Sequence, residues 1–586
     1  MVDHAASTSV EWASMEHEIM HLGAYQALYQ ETLTRVIEDN LNARIWGRDA
    51  SVWTEQELAA SEIVERLGWL NLPDSMPLEI ARLRALQLET QALEITHAVL
   101  LGMGGSSLAP EVLAQTIGPA ADGIQLLVLD STVPAQVFEV AAQIPLRHTL
   151  YIVASKSGTT PEPMALYAAL RKRLQEAVGP EDWPNHLIAI TDPDTPLAEL
   201  AQKQQFRALY LNPPDIGGRF SALSLYGLVP GALMGIDLDE LLRRAHRMAI
   251  RCRATAHASE HPGLQLGVAL GALATAADLP ARDKLTLVTS PRLASFGAWA
   301  EQLVAESTGK NGVGILPIES EPKDLIQAHY RDDRLCVYLR LDDDDNAATD
   351  AFATALVERG QPVIGLRLRD VYDLGAEFFR WEFATAVAGA LLAVNPFDQP
   401  NVESAKSQAR ASLQAYEQSG ALPEPEPCAQ EPPLSAYGLA DGPDTIQGNL
   451  RQLLSQRGDH SYLAIMAYIE RNPRTQPALQ SLRSTVTAAT GMPVTLGFGP
   501  RFLHSTGQLH KGGPATGLFL QITADDAKDI AIPGKAYTLG VLKRAQALGD
   551  LRALQAAQRP VLAVHIGQDV SAGLAAIEDA LRAALP

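Results

Sequence analysis

Over residues 15–70 apolar side chains recur three and four positions apart, with Trp46, Trp53 and Trp69 as packing anchors, which predicts a helical lead-in running to residue 94. Beyond it the pattern changes. Short apolar runs near Val99 and at 126–129, 150–153 and 187–190 alternate with helical stretches, as parallel strands joined by crossover helices do. They define a first α/β unit over 95–215. A mostly helical stretch at 222–277 leads into strands at 285–288, 335–339 and 363–366, a second α/β unit within 216–420. Residues 421–444 carry Pro423, Pro425, Pro427, Pro432, Pro433 and Pro443 among Gly, Glu and Ser and read as a stiff, extended connector. After it, residues 462–469, a helical pattern at 478–489 and strands around Val494, Leu518 and Val561 predict a C-terminal α/β segment over 445–586.

Two predicted strands end in loops suited to an anion. The apolar run 151–154 passes into Ser155, Lys156, Ser157, Gly158, Thr159 and Thr160, and Pro161 suits the first turn of a helix. Small hydroxyl residues beside a glycine let successive N–H groups converge on a phosphate, with the positive end of the helix dipole behind them. Such clusters also serve as plain turns. The phosphate reading gains from a second loop of the same kind, in which the strand 97–101 runs into Gly102, Met103, Gly104, Gly105, Ser106 and Ser107. Two such loops on parallel strands point to one sugar-phosphate site at the carboxyl edge of a sheet.

At 586 residues the chain exceeds one ordinary core, and 47% apolar with 20% charged residues describe a globular protein. The formal net charge of -21 argues against nucleic acid or an anionic membrane as partner, so a phosphorylated ligand requires the cations to be concentrated in its site. Cys252, Cys336 and Cys428 are far apart and outside metal-ligand spacing, which suits a reducing, cytoplasmic setting without a disulfide framework.

Five stretches carry a family resemblance: residues 104–110 (GGSSLAP), 155–160 (SKSGTT), 217–221 (GGRFS), 302–310 (QLVAESTGK) and 395–406 (NPFDQPNVESAK). In this order they resemble the successive signatures of glucose-6-phosphate isomerase, and residues 43–46 and the C-terminal tail are most similar to the isomerase part of bifunctional transaldolase/glucose-6-phosphate isomerase proteins. The resemblance implies two SIS-type three-layer α/β/α sandwiches with parallel sheets, N-terminal helices and a C-terminal α/β segment. It implies interconversion of glucose 6-phosphate and fructose 6-phosphate through a cis-enediol, without metal or organic cofactor, in a homodimer whose catalytic histidine crosses the subunit boundary. An isomerase that also takes mannose 6-phosphate, or a non-catalytic SIS-type sugar-phosphate sensor, are the alternatives.

Aldose–ketose isomerisation needs an acid and base for ring opening, a carboxylate to move a proton between carbons 2 and 1, and a cation for the enediolate. By resemblance Glu306, at the end of a helix over 296–305, is the carboxylate. Gln302, four residues earlier, shares its helix face. Arg219, behind Gly217 and Gly218, is the cation, Lys406 serves ring opening, and Gln399 lies near sugar or phosphate. Gly105, Ser106, Ser155, Lys156, Ser157, Thr160 and Gly218 are the expected binding residues. The family's histidine normally follows the glutamate segment, where this chain offers only His329 in an unmatched stretch. Residues 503–508 (LHSTGQ) resemble the histidine segment but lie beyond Lys406, so His504 is the first candidate, His510 the second and His329 the third.

Overall fold

The computed structural model describes residues 12–253, 260–323, 328–438 and 442–585. Helices dominate the lead-in, but it opens with a strand, β1 (Glu18–His21), that the helical reading did not contain. Trp69 is buried against Phe220, with ring centroids 5.3 Å apart. The indole of Trp53 donates to the Ala386 carbonyl at 2.9 Å and that of Trp46 to the Cys252 carbonyl at 2.8 Å. The predicted anchors therefore fasten the lead-in to the helices of the second unit, and one hydrophobic core runs through both.

The first sheet holds β2 (His97–Leu101), β3 (Gln125–Leu129), β4 (Thr149–Ala154), β5 (Leu187–Thr191) and β6 (Ala208–Leu211), all parallel, in the order β3-β2-β4-β5-β6. Val99 faces Leu127 on one side and Tyr151 on the other. The chain reverses its direction of winding between β2 and β4, and at such a switch point the loops after the two strands splay apart and leave a crevice. Those loops are the two Gly/Ser loops.

The second sheet holds β7 (Lys284–Thr289), β8 (Leu316–Ile318), β9 (Arg334–Leu341) and β10 (Val363–Leu368) in the order β8-β7-β9-β10, and β1 extends it antiparallel to β10. In the third sheet β11 (Ala429–Glu431) and β12 (Leu434–Tyr437) form a hairpin on the edge of β13 (Tyr462–Tyr468), β14 (Val494–Phe498), β15 (Gly517–Thr523) and β16 (Val561–His565). The Pro-rich stretch is thus not only an extended connector. Its middle part forms this hairpin and pairs with β16: Pro432 and Pro433 make the turn, and the proline-free strands on either side keep the N–H groups the ladder needs. The parallel strands of all three sheets follow one winding order, so the C-terminal segment repeats the architecture of the first two units. No helix among the described residues is long and apolar enough to cross a membrane.

Candidate active site

Backbone contact between two glycine turns brings the first and second units together. A Cβ on Gly105 would sit 1.9 Å from the Gly218 carbonyl oxygen, so a side chain there would force the turns apart, and Ser221 Oγ donates to both carbonyls, of Gly105 and of Gly218. Gly104, at φ +55, takes the left-handed turn that glycine adopts without strain. Arg219 follows at once. Its buried guanidinium donates to the carbonyls of Pro396 and Asp398 (both 2.7 Å), to Ser307 Oγ (2.8 Å) and to Gln399 Oε1 (3.1 Å), and Nη1 lies 3.3 Å from Glu306 Oε1. Burial pulls the Arg219 pKa down, against Glu306 and Asp398.

Glu306 sits in the last turn of the helix Phe296–Thr308, which runs three residues further than the sequence predicted. Gln302 Nε2 donates to Glu306 Oε2 at 3.1 Å and to the His504 carbonyl at 2.8 Å. One amide therefore ties the carboxylate to the loop that carries the histidine. Lys310 is buried beside Arg219 and donates to Asp398 Oδ1 at 2.8 Å and to the Asn395 carbonyl; burial first, then Arg219, bring its pKa down to about 7.

The crevice of the first sheet opens into a cleft of about 940 Å³. Ser157, Thr159 and Thr160 line it above the N-terminus of the helix Pro161–Val178, with Arg219, Gln399, Lys406 and His504 on the other walls. Ser155 is a correction: it is buried, its hydroxyl shares a hydrogen bond with that of Thr160 at 2.8 Å, and it braces the loop instead of facing the cleft. Lys156 lines the cleft, but its ammonium is held by Asp192 and by the Pro214 carbonyl (2.9 Å). Gly105 packs against the glycine turn that precedes Arg219, and Ser106 beside it is half-buried. Lys406, on the helix Val402–Ser419, pairs with Glu403 at 3.0 Å. Arg66 and Arg410, which had no sequence signal, also line the cleft, so five Lys and Arg side chains converge there in a chain of net charge -21.

Of the three histidines, only His504 reaches this cleft. It follows β14 in a short 3-10 turn, and its Nε2 lies 3.0 Å from Oε1 of the buried Glu162. Glu162 is the acidic residue the sequence reading missed. Burial pushes its carboxyl up, but the charge and hydrogen bond of His504, its own N–H and Lys406 outweigh that and hold it below the ordinary range. His510 is a core residue. Its ring packs edge-on to Phe519 at 5.0 Å and near Tyr462 and Phe502, neither nitrogen has a partner, and burial drives its pKa far down. His329 lines a separate cleft with Arg457 and Thr490.

His504, Glu162, Gln302, Glu306 and Arg219 all meet within one chain. Within the chain, the C-terminal unit places His504 beside Glu162 and next to the Glu306 helix.

Residues 81–315 match the family model described as phosphoglucose isomerase. A glucose-6-phosphate isomerase of Thermus thermophilus is 32% identical over 388 residues, 59% of this chain and 90% of that protein. One of Rubrobacter xylanophilus is 31% identical over 53% of this chain and 81% of its own length. Among solved structures, a hypothetical protein of Thermus thermophilus superposes with a TM-score of 0.57 at 28% identity, over 67% of this chain and 100% of that one.

Proposed function

Since this chain belongs to the phosphoglucose isomerase family, an aldose–ketose isomerase of glucose 6-phosphate and fructose 6-phosphate, we propose that its reaction runs in the cleft between the Gly/Ser loops and His504, within a single chain. The observation that carries this reading is the buried contact of Glu306 with Arg219, bridged by Gln302 to the histidine loop. The phosphate docks on Ser157, Thr159 and Thr160, where hydroxyls and the N–H groups of a helix start face the cleft. His504, held by Glu162, takes the proton of the anomeric hydroxyl while Lys406 assists at the ring oxygen. Glu306 removes the proton from carbon 2 and returns it to carbon 1, and Arg219 faces the negative charge that develops on the enediolate oxygens. Lys310 supports this by holding the 395–398 loop, whose carbonyls brace Arg219.

A sensor without catalysis is not favoured, because the proton-transfer carboxylate, its cation and the lysine are all present. Cys252 and Cys336, both buried free thiols, agree with a cytoplasmic setting. A homodimer, as the resemblance implies, would on this reading add surface contacts but no catalytic group.

Subunit mixing tests the single-chain site. Glu306→Gln and His504→Gln chains, each inactive, are expected to give no recovery after verified subunit exchange, since every site keeps one defective group. Recovery approaching about a quarter of the wild-type activity, the ceiling when half the dimers are mixed and each has one intact site, would place the histidine across an interface.

The phosphate assignment has its own check. Thr160→Val removes a hydroxyl that faces both the cleft and Ser155, and a neutral hydrogen bond contributes about 0.5–1.5 kcal/mol. KM is expected to rise by about two- to tenfold with little change in kcat. Unaltered KM and unaltered inhibition by sugar-acid phosphates would remove Thr160 from the phosphate site.

A further inference from the structure

The Glu162 oxygen that holds His504 has a second side-chain donor. Gln546 Nε2 lies 2.6 Å from Glu162 Oε1, and Gln546 Oε1 accepts from the Thr132 hydroxyl at 2.9 Å. All three residues are buried. An ionised carboxylate only accepts hydrogen bonds, whereas a hydroxyl can also donate, so the amide of Gln546 has one satisfactory orientation: NH2 to Glu162 and oxygen to Thr132. Gln546 sits on the helix Leu539–Ala556, which Gly549 lets approach the Lys406 helix so closely that a Cβ there would be 2.7 Å from the Ala405 carbonyl oxygen. The other Glu162 oxygen is buried with no side-chain partner. The position of the carboxylate therefore depends on what grips Oε1.

The geometry points to Gln546 as a positioning residue for ring opening: by fixing Glu162 from the C-terminal unit, it sets the orientation in which His504 receives and gives up its proton. This rests on the reading of His504 as the ring-opening group. The role is not transmitted through bulk packing alone, because the contact is a hydrogen bond to a buried charge, and such bonds are stronger than neutral ones.

The groups that face Glu162 and can titrate are His504, Lys406 and Tyr468. All three remain when Gln546 is changed to Met, a side chain of similar length with no donor. Removing a donor from a carboxylate favours its protonated form. Glu162 then takes up a proton at higher pH than before, and the acid limb of the kcat profile moves upward. In Gln546→Glu the new side chain donates only while protonated, so its activity rises as the pH falls, until the acid limb is reached.

The test measures kcat and KM against pH for Gln546→Met, Gln546→Glu and His504→Gln, with cyclic sugar phosphate and with substrate supplied in the open-chain form. Gln546→Met is expected to lose about tenfold in kcat on the cyclic substrate, a change of about 1.4 kcal/mol, with KM within about twofold and a smaller loss on the open chain. Gln546→Glu should show the opposite pH trend, and it decides the matter if Gln546→Met does not fold. A wild-type kcat and acid limb in Gln546→Met, beside a slow His504→Gln, would overturn the role of Gln546 and leave the histidine reading standing. Equal losses on both substrates with no pH displacement would also overturn it, as a packing defect. Full turnover in His504→Gln would instead overturn the histidine reading, and this inference with it.

Discussion

Glu306→Gln is expected to lower turnover by about 10²–10⁴-fold while the protein folds and binds substrate normally. The amide keeps the shape of the carboxylate but cannot accept the carbon-2 proton. Breaking a buried ion pair can cost about 3–5 kcal/mol when it strands the partner charge. Here Arg219 is not stranded: Ser307, Pro396, Asp398 and Gln399 all accept from its guanidinium, and Asp398 faces it as well. A loss nearer the roughly 1–3 kcal/mol of a single charged hydrogen bond is expected, well short of the stability of a domain. The decisive measurement is exchange of the carbon-2 proton with solvent. If exchange persists at the native rate in the variant, another group is the base.

His504→Gln should be slowed by a comparable factor on cyclic substrate and much less on substrate already open, because only the ring step needs its proton. Glutamine can still donate to Glu162, so the loop should stay in place. The proton transfer by Glu306 should proceed nearly untouched, since Gln302 contacts the main-chain carbonyl of residue 504 and not the ring. Parallel variants at His510 and His329 sharpen the result. His510→Gln would bury an amide among Tyr462, Phe502 and Phe519, so its expected defect is in stability, read as a lower melting temperature. His329 is expected to be neutral to turnover. Normal activity of His504→Gln on cyclic substrate would break the assignment.

The sequence announced the features whose signals are local. Gly/Ser loops after apolar strands, the proline at a helix start and the glutamine one turn before Glu306 all lie within a few residues of what they affect, and the structure brings Ser157, Thr160, Arg219, Gln302, Glu306, Gln399, Lys406 and His504 to one cleft and its wall. What escaped has no local signature. Glu162, the second residue of its helix, reads from sequence as an acid complementing the helix dipole, and its partner Gln546 is 384 positions away. Arg66 carries no motif and is delivered to the cleft by the lead-in. Ser155 looked like its neighbours, but it is the residue nearest the strand and so turns into the core. β1 spans four residues, all half-buried, too few to establish a period of two. The β11–β12 hairpin was hidden because prolines dominate its surroundings, yet they fall in its turn and flanks and not in its two short strands.

The contact of Gln302 with the main chain of His504 has a consequence for how the enzyme behaves when it is scarce. A group tethered to its own site has an effective concentration on the order of millimolar even on a loose linker, and folding of the histidine loop against the Glu306 helix raises it further. On the proposed single-chain reading, catalysis is first order in chains: dilution, which would draw a histidine shared between subunits out of its site, is expected to leave the rate per chain constant however few copies are present.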